Sequence, residues 1–133
     1  MMTYKLYYAA ETASMGIRLI LEELGMPYEL IPSTTDKDVQ RPPEQVLINP
    51  NGWLPVLVWD EGAMYEAAAI TIYLCDRHPE ANLAPRFDDP KRGIYLQTLV
   101  YFSNSVQNAF QLGYYPDRFA DTLEGEQSAK HRG

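Results

Sequence analysis

The chain has 133 residues, of which 46% are hydrophobic, so it can fold around at least one apolar core. Its net charge of -7 and its lack of a Lys/Arg-rich run exclude nucleic acid as an expected partner, because nucleic-acid binding requires a basic surface. No apolar run approaches the roughly 18 residues that span a bilayer, and residues 1–4 lack a secretory signal pattern. With the single cysteine Cys75, these features predict a soluble, cytoplasmic protein without disulfides.

The first thirty residues predict a βαβ unit. Residues 5–8 are rich in β-forming side chains and indicate the first strand. Ser14 is a candidate N-cap for the helix that follows, and Gly25 is a candidate left-handed terminator. The apolar face of this helix consists of Ile17, Ile20, Leu21 and Leu24. Residues 28–31 alternate between polar and apolar side chains, so we expect a second strand parallel to the first.

The next segment predicts a hairpin after an irregular connection. Residues 32–43 are polar and interrupted by prolines, and we expect only a short helix after them, over residues 44–48. Residues 54–59 and 63–65 then form two antiparallel strands joined by the turn at residues 60–62.

Two further helices are expected. One begins at Ala67 and ends near His78, before Pro79. A linker at residues 85–90 leads into the other, which runs to about Gly113 and is apolar on more than one face. It therefore requires partner helices, supplied either by a continuation of the chain or by a second subunit. Residues 117–133 are predicted to be too polar to supply that packing. Their only plausible anchors are Phe119, Ala120 and Leu123.

Two short runs carry the functional information. The first, from Asn49 to Leu57, places Pro55 just before a buried strand, where proline belongs at a strand start or turn and can adopt a cis bond. The main-chain groups of Leu54 are then free for a ligand. The second run places Glu66 before a helix whose first amides are unpaired and attract carboxylates. Together these runs predict a pocket for a peptide-like anion.

These runs, Asn-Pro-x-Gly-x-Leu-Pro-x-Leu and Glu-x-x-Ala-Ile-x-x-Tyr-Leu, resemble the N-terminal domain of the cytosolic glutathione transferases. The resemblance extends over roughly the first 85 residues. It implies an α/β fold, with a thioredoxin-like βαβ-ββα domain over residues 1–84. It also implies that residues 85–133 begin an all-helical domain, which is truncated here because family members are longer.

The resemblance also implies roles for four residues. The main chain of Leu54 binds the cysteinyl part of glutathione, with Pro55 in the cis form. Glu66 faces the γ-glutamyl amine, although an acid at a helix start also interacts favourably with the helix dipole. At Ala67 the family usually has Ser or Thr, so only the amide remains for the γ-glutamyl carboxylate. The missing hydroxyl should cost on the order of 1.5–3 kcal/mol, which predicts weak binding or a different ligand.

A transferase must also stabilise the thiolate of glutathione, because a free thiol has a pKa of about 8.5. By the resemblance, Tyr7 occupies the position of the catalytic tyrosine of one branch of the family. Ser14 and Thr12 lie where another branch has a catalytic serine, and Ala13 occupies the position of the bacterial cysteine. Ser14 could instead be only a helix cap, and Tyr7 only a core tyrosine. Both remain candidates.

The expected activity is conjugation of the glutathione thiolate to a small apolar electrophile, in a homodimer, with glutathione as co-substrate and no metal. Cys75 is interpreted as a buried hydrophobe, and His78 and His131 lack ligand spacing for a metal. The alternative is a non-catalytic binding or regulatory protein with the same fold, which Ala67 favours. A chain that is a fragment would lack the far wall of the substrate groove and would be inactive.

Overall fold

The computed structural model describes residues 2–133, which form two compact units that divide between Arg86 and Phe87. The first unit contains a four-stranded mixed sheet and three helices. These are β1 (Tyr4–Tyr8), α1 (Ser14–Leu24), β2 (Tyr28–Pro32), α2 (Pro43–Ile48), β3 (Val56–Trp59), β4 (Gly62–Tyr65) and α3 (Ala67–Arg77). The strand order is β2-β1-β3-β4, with β1 parallel to β2 and the other pairs antiparallel. The predicted thioredoxin-like βαβ-ββα fold is therefore confirmed.

The core of this unit lies between the sheet and the helices α1 and α3. Alternate residues of β1 and β3 meet the apolar sides of both helices, as the period of two along a strand requires. The buried cluster comprises Tyr4, Leu6, Ile17, Leu21, Leu57, Ile70 and Leu74. Tyr7 is buried but lies outside this cluster, since its side chain leaves β1 on the opposite face from Leu6.

Helix α1 ends as predicted but does not begin as predicted. Gly25 adopts the left-handed conformation, with φ of 64°, and its N–H caps the last turn. Ser14, however, is the first helical residue. The N-cap residue is Ala13, whose side chain cannot cap the helix. The hydroxyl of Thr12 instead accepts the N–H of Ser14 at 3.2 Å, so the capping prediction for Ser14 is wrong.

The β3-β4 hairpin is tighter than predicted. Gly62 belongs to β4 and pairs with Trp59, which leaves a loop of only Asp60 and Glu61. A Cβ atom at residue 62 would lie 3.2 Å from the Trp59 ring, so glycine permits the close contact of strand and indole.

The second unit is helical. It contains α4 (Arg92–Tyr101), a π-helical segment (Phe102–Val106), α5 (Gln107–Tyr114) and α6 (Leu123–Arg132). Helices α4 and α5 occupy the stretch for which a single helix was predicted, and the π-helical segment joins them. Among residues 2–133 no helix has the length and apolar character needed to cross a bilayer.

Helix α6 was not predicted. The hydroxyl of Thr122 caps it by accepting the N–H of Gly125 at 3.1 Å, and the helix packs against α5. Ala129 is fully buried, whereas the predicted anchor Leu123 is 78% exposed. The segment is polar overall, but one small side chain suffices for a close helix contact, so the prediction that it could not pack is wrong.

Candidate functional site

The strand register brings three chain segments to one corner of the sheet. Val56, the first residue of β3, pairs with Tyr7 on one side and with Tyr65 on the other. Because both pairings are antiparallel, the residues before Val56 run beside those after Tyr7 and after Tyr65. Leu54 and Pro55 therefore lie between the end of β1 and the start of α3, and two of the predicted site segments meet there.

The Leu54-Pro55 peptide bond is cis, as predicted. Pro55 is buried, while Leu54 is half-buried and lies outside β3. Within residues 2–133, the main-chain N–H and C=O of Leu54 form no hydrogen bond. This residue thus presents a donor and an acceptor at an accessible position, which is the arrangement that a peptide-like ligand can pair with.

The start of α3 supplies amides at the same corner. Glu66 precedes the helix with φ of 79°, which is uncommon for a residue other than glycine, and its carbonyl accepts the N–H of Ile70 at 2.9 Å. No acidic side chain lies in the first turn, and no side chain caps it. The amides that begin with Ala67 therefore remain for an anion, while the exposed carboxylate of Glu66 is placed to attract a cation.

Tyr7 has a buried side chain, and the structure describes no hydrogen bond to its hydroxyl among residues 2–133. Burial raises the pKa of this phenol, and the carboxylate of Glu44 raises it further. Tyr7 therefore keeps its proton at neutral pH and has it available for donation.

Ser14 is fully buried, and its hydroxyl is already used. It donates to the carbonyl of Ala9 at 3.0 Å and accepts the N–H of Ala9 at 3.2 Å. The hydroxyl of Thr12 lies 2.6 Å from Ser14 Oγ and also donates to Ala9 at 2.8 Å. These bonds fasten the β1-α1 loop. Ala13, within the same loop, is half-buried and offers no thiol.

A buried polar network behind Leu54 was missed by the sequence analysis. Gln45 of α2 is fully buried, and its amide nitrogen donates to the carbonyls of Gly52 at 3.0 Å and Trp53 at 3.4 Å. Asn49, also buried, donates to the same Trp53 carbonyl at 3.4 Å. Gln45 lies in α2 and Asn49 is the C-cap residue directly after it, so a polar pair four residues apart at a helix end before a turn is the signal that could have revealed the network.

Other reactive side chains lie outside this corner. Cys75 is a buried cysteine in α3 that forms no disulfide. His78 accepts or donates a hydrogen bond with the hydroxyl of Tyr4 at 2.9 Å, and its other ring nitrogen lies 3.5 Å from Glu80. In the part of the chain that the structure describes, no three His, Cys, Asp or Glu side chains are grouped to hold a metal ion.

The mixed four-stranded sheet, with a cis-proline before β3 and an uncapped helix start beside it, defines a thioredoxin-like domain. Comparison with known proteins agrees: residues 12–77 match the family model for the glutathione S-transferase N-terminal domain. The chain belongs to the glutathione transferase family.

Three similar proteins illustrate the extent of the match. A zeta-class glutathione S-transferase of Euphorbia esula is 36% identical over 104 residues, covering 77% of this chain and 46% of that protein. Maleylacetoacetate isomerase of Pseudomonas aeruginosa is 35% identical over 92 residues, covering 66% and 42%. The solved structure of a glutathione transferase homologue from Sulfitobacter, with bound glutathione, superposes with a TM-score of 0.87 at 22% identity, covering 99% and 64%. The chain thus spans less than half the length of the two relatives compared by sequence.

Proposed function

We propose that this chain binds glutathione at the corner formed by Leu54, Pro55 and the start of α3, and that it conjugates the thiolate to a small apolar electrophile. The observation that carries the proposal is the unpaired main chain of Leu54, set by the register of β3 and β4 beside the free amides at Ala67. An extended tripeptide can form hydrogen bonds with the main chain of Leu54 and place its acidic head on the amides at Ala67.

The charges of the corner match the charged head of glutathione. The γ-glutamyl carboxylate would accept the α3 amides, and the γ-glutamyl amine would lie at the carboxylate of Glu66. Ala67 contributes its amide but no hydroxyl. The lost hydroxyl predicts binding that is weaker by on the order of 1.5–3 kcal/mol than in a site with serine at residue 67.

Thiol activation requires a donor that favours the charged form of the sulfur. Of the two candidates, Tyr7 is the better supported, because its hydroxyl makes no hydrogen bond within the described residues. Ser14 already donates to Ala9. A thiolate held in this way attacks the electrophile, forms a carbon–sulfur bond and expels the leaving group, and the protein contributes positioning and a lower thiol pKa.

The proposal extends to the whole protein, as a homodimeric, cytoplasmic transferase. The exposed aromatic side chains of the second unit support the dimer, and the presence of a single cysteine, Cys75, supports a reducing compartment. The alternative is a binding protein without transferase activity, and the alanine at residue 67 favours it.

Calorimetric titration with glutathione tests the proposal. We expect saturable binding, and we expect cysteinylglycine, which lacks the γ-glutamyl head, to bind much more weakly. Turnover of a chlorodinitrobenzene then separates a transferase from a non-catalytic binding protein, since binding without conjugation supports the latter. An absence of heat at millimolar glutathione contradicts the transferase.

A further inference from the structure

Two buried side-chain amides, those of Gln45 and Asn49, donate to the loop that presents Leu54, and that of Gln45 contacts two of its carbonyls. The Nε2 atom of Gln45 lies 3.0 Å from the Gly52 carbonyl and 3.4 Å from the Trp53 carbonyl, which are the two acceptors immediately before Leu54. Its Oε1 atom accepts the hydroxyl of Ser33. Since carbonyls can only accept, the orientation of the Gln45 amide is fixed by its partners.

Gln45 joins three segments of the first unit. It lies on α2, Ser33 follows β2, and Gly52 and Trp53 belong to the loop before β3. The N–H of Ser33 in turn donates to the carbonyl of Tyr8, at the end of β1. A chain of hydrogen bonds therefore runs from the sheet through Ser33 and Gln45 to the two carbonyls that precede Leu54.

Asn49 fixes the earlier part of the loop, because its carbonyl accepts the N–H of Gly52 at 2.8 Å and its Oδ1 accepts the N–H of Asn51 at 3.3 Å. Gly52 is buried with φ of 67°, a conformation that only glycine adopts without cost, and Leu54 itself forms no hydrogen bond among residues 2–133. The side-chain amide of Asn49 also donates to the Trp53 carbonyl, at 3.4 Å. The direction of the Leu54 peptide groups thus depends on the two carbonyls that precede them.

We propose that Gln45 is a positioning residue: by fixing the Gly52 and Trp53 carbonyls, it sets the direction of the Leu54 main chain and thereby the affinity for glutathione. This inference rests on the proposed function, and it gives a role in glutathione binding to a buried residue that does not contact the ligand. The position matters because a fixed donor and acceptor bind a peptide without the entropic cost of ordering the loop.

Two substitutions at residue 45 and one control test the inference. Gln45→Leu removes both donors, and Gln45→Glu replaces them with a carboxylate that faces two carbonyl oxygens. Ser33→Ala removes the third bond of Gln45 but leaves the bonds to Gly52 and Trp53. All three should destabilise the same network, so the control separates lost stability from lost positioning.

The expected affinities differ among the variants. Gln45→Leu and Gln45→Glu should bind glutathione about tenfold more weakly at neutral pH, while Ser33→Ala should stay within about twofold of the wild type. Burial raises the pKa of the new carboxyl, so acidification returns a proton that can be donated to Gly52. The affinity of Gln45→Glu should therefore recover between about pH 7 and 5, where the charges of glutathione hardly change.

The amide signal of Leu54 in nitrogen-correlated NMR spectra gives a readout that needs no ligand. It should shift in Gln45→Leu and in Gln45→Glu at neutral pH, and return toward the wild-type position when Gln45→Glu is acidified. An unmoved Leu54 signal overturns the inference, as does an equal loss of affinity in Ser33→Ala or an unchanged affinity in Gln45→Leu. If the wild type binds no glutathione, the proposed function fails, and the Leu54 signal alone still decides whether Gln45 positions the loop.

Discussion

Ala67 is the residue at which this chain departs most clearly from the glutathione transferase motif. It is the first residue of α3, and its side chain cannot donate a hydrogen bond. We predict that Ala67→Ser tightens glutathione binding about tenfold, because a hydroxyl donor to a carboxylate contributes about 1.5 kcal/mol or more. Calorimetric titration measures this change directly.

Ala69 provides the matched control for that substitution. It lies in the same turn of α3 but is exposed, so Ala69→Ser adds the same hydroxyl away from the ligand. Its affinity should equal that of the wild type. If Ala67→Ser gives no gain, the carboxylate of the ligand does not rest on the start of α3.

Tyr7 and Ser14 can be separated by the titration of bound thiol. Loss of a donor to the thiolate raises the thiol pKa, because the charged form loses its stabilisation. We predict that Tyr7→Phe raises the titration midpoint of the bound glutathione thiol by about one pH unit, with little loss of thermal stability. The ultraviolet absorbance of the bound thiolate, followed against pH, measures the midpoint.

Ser14→Ala should show the opposite behaviour. The variant loses the buried hydrogen bonds to Ala9 and Thr12, so its melting temperature should fall while the thiol midpoint stays unchanged. A raised midpoint in Ser14→Ala, with none in Tyr7→Phe, would assign the donor to Ser14 instead.

Single residues were predictable from sequence where the chemistry is local. Proline geometry permits a cis bond at residue 55 and the family resemblance implied it, while the apolar spacing of Ile70, Tyr73 and Leu74 predicted a helix start near Ala67. Gln45 was not predictable in this way, since its two partners are brought together only by the packing of α2 against the loop. The same holds for the hydroxyl of Ser14, whose engagement with Ala9 depends on the path of the β1-α1 loop.

At the scale of elements, Gly16 and Gly25, within and at the end of α1, should respond oppositely to substitution. Gly25 has φ of 64°, and a Cβ atom added there would meet no other atom within 4 Å, so Gly25→Ala costs only backbone strain. We predict a loss of about 1–2 kcal/mol in the free energy of unfolding. Gly16 lies inside the helix with equally open space, and Gly16→Ala should stabilise by roughly 0.5–1 kcal/mol.

Chemical denaturation of the two variants at one temperature gives both free energies. Because the added atom is the same and meets nothing in either case, the difference isolates the backbone conformation. Equal free energies for both variants would show that residue 25 does not adopt the left-handed conformation in solution.

Element type was predictable where hydrophobic period and terminators agreed, as in α1 and in the β3-β4 hairpin. Predictions failed where a single close contact decides the structure. Gly62 joins β4 because its backbone lies against Trp59, and α6 packs through the small side chain of Ala129. Neither contact leaves a periodic pattern, so the sequence alone indicated a longer turn and an unpacked tail.

At the scale of the whole molecule, the second unit leaves large apolar side chains in contact with water. No residue of α4 is fully buried. Six large hydrophobic residues of α4, the π-helical segment and α5 are more than half exposed: Ile94, Val100, Tyr101, Phe102, Phe110 and Tyr114. A surface of this kind favours association, and the proposed homodimer would cover part of it.

The charge of the chain opposes that association. Two copies at a net charge of -7 each repel one another, and salt screens this repulsion over a Debye length of about 10 Å at 0.1 M. We predict that the dimer population, measured by sedimentation velocity, rises with ionic strength. Phe102→Glu should lower the dimer population at every salt concentration, because a carboxylate replaces an exposed ring at the proposed interface.

Gln97→Glu is the control, since it adds the same charge at an exposed position of α4. It should reproduce only the electrostatic part of the loss of dimer, which disappears at high salt. If the two variants behave alike at high salt, the apolar surface around Phe102 does not form the dimer.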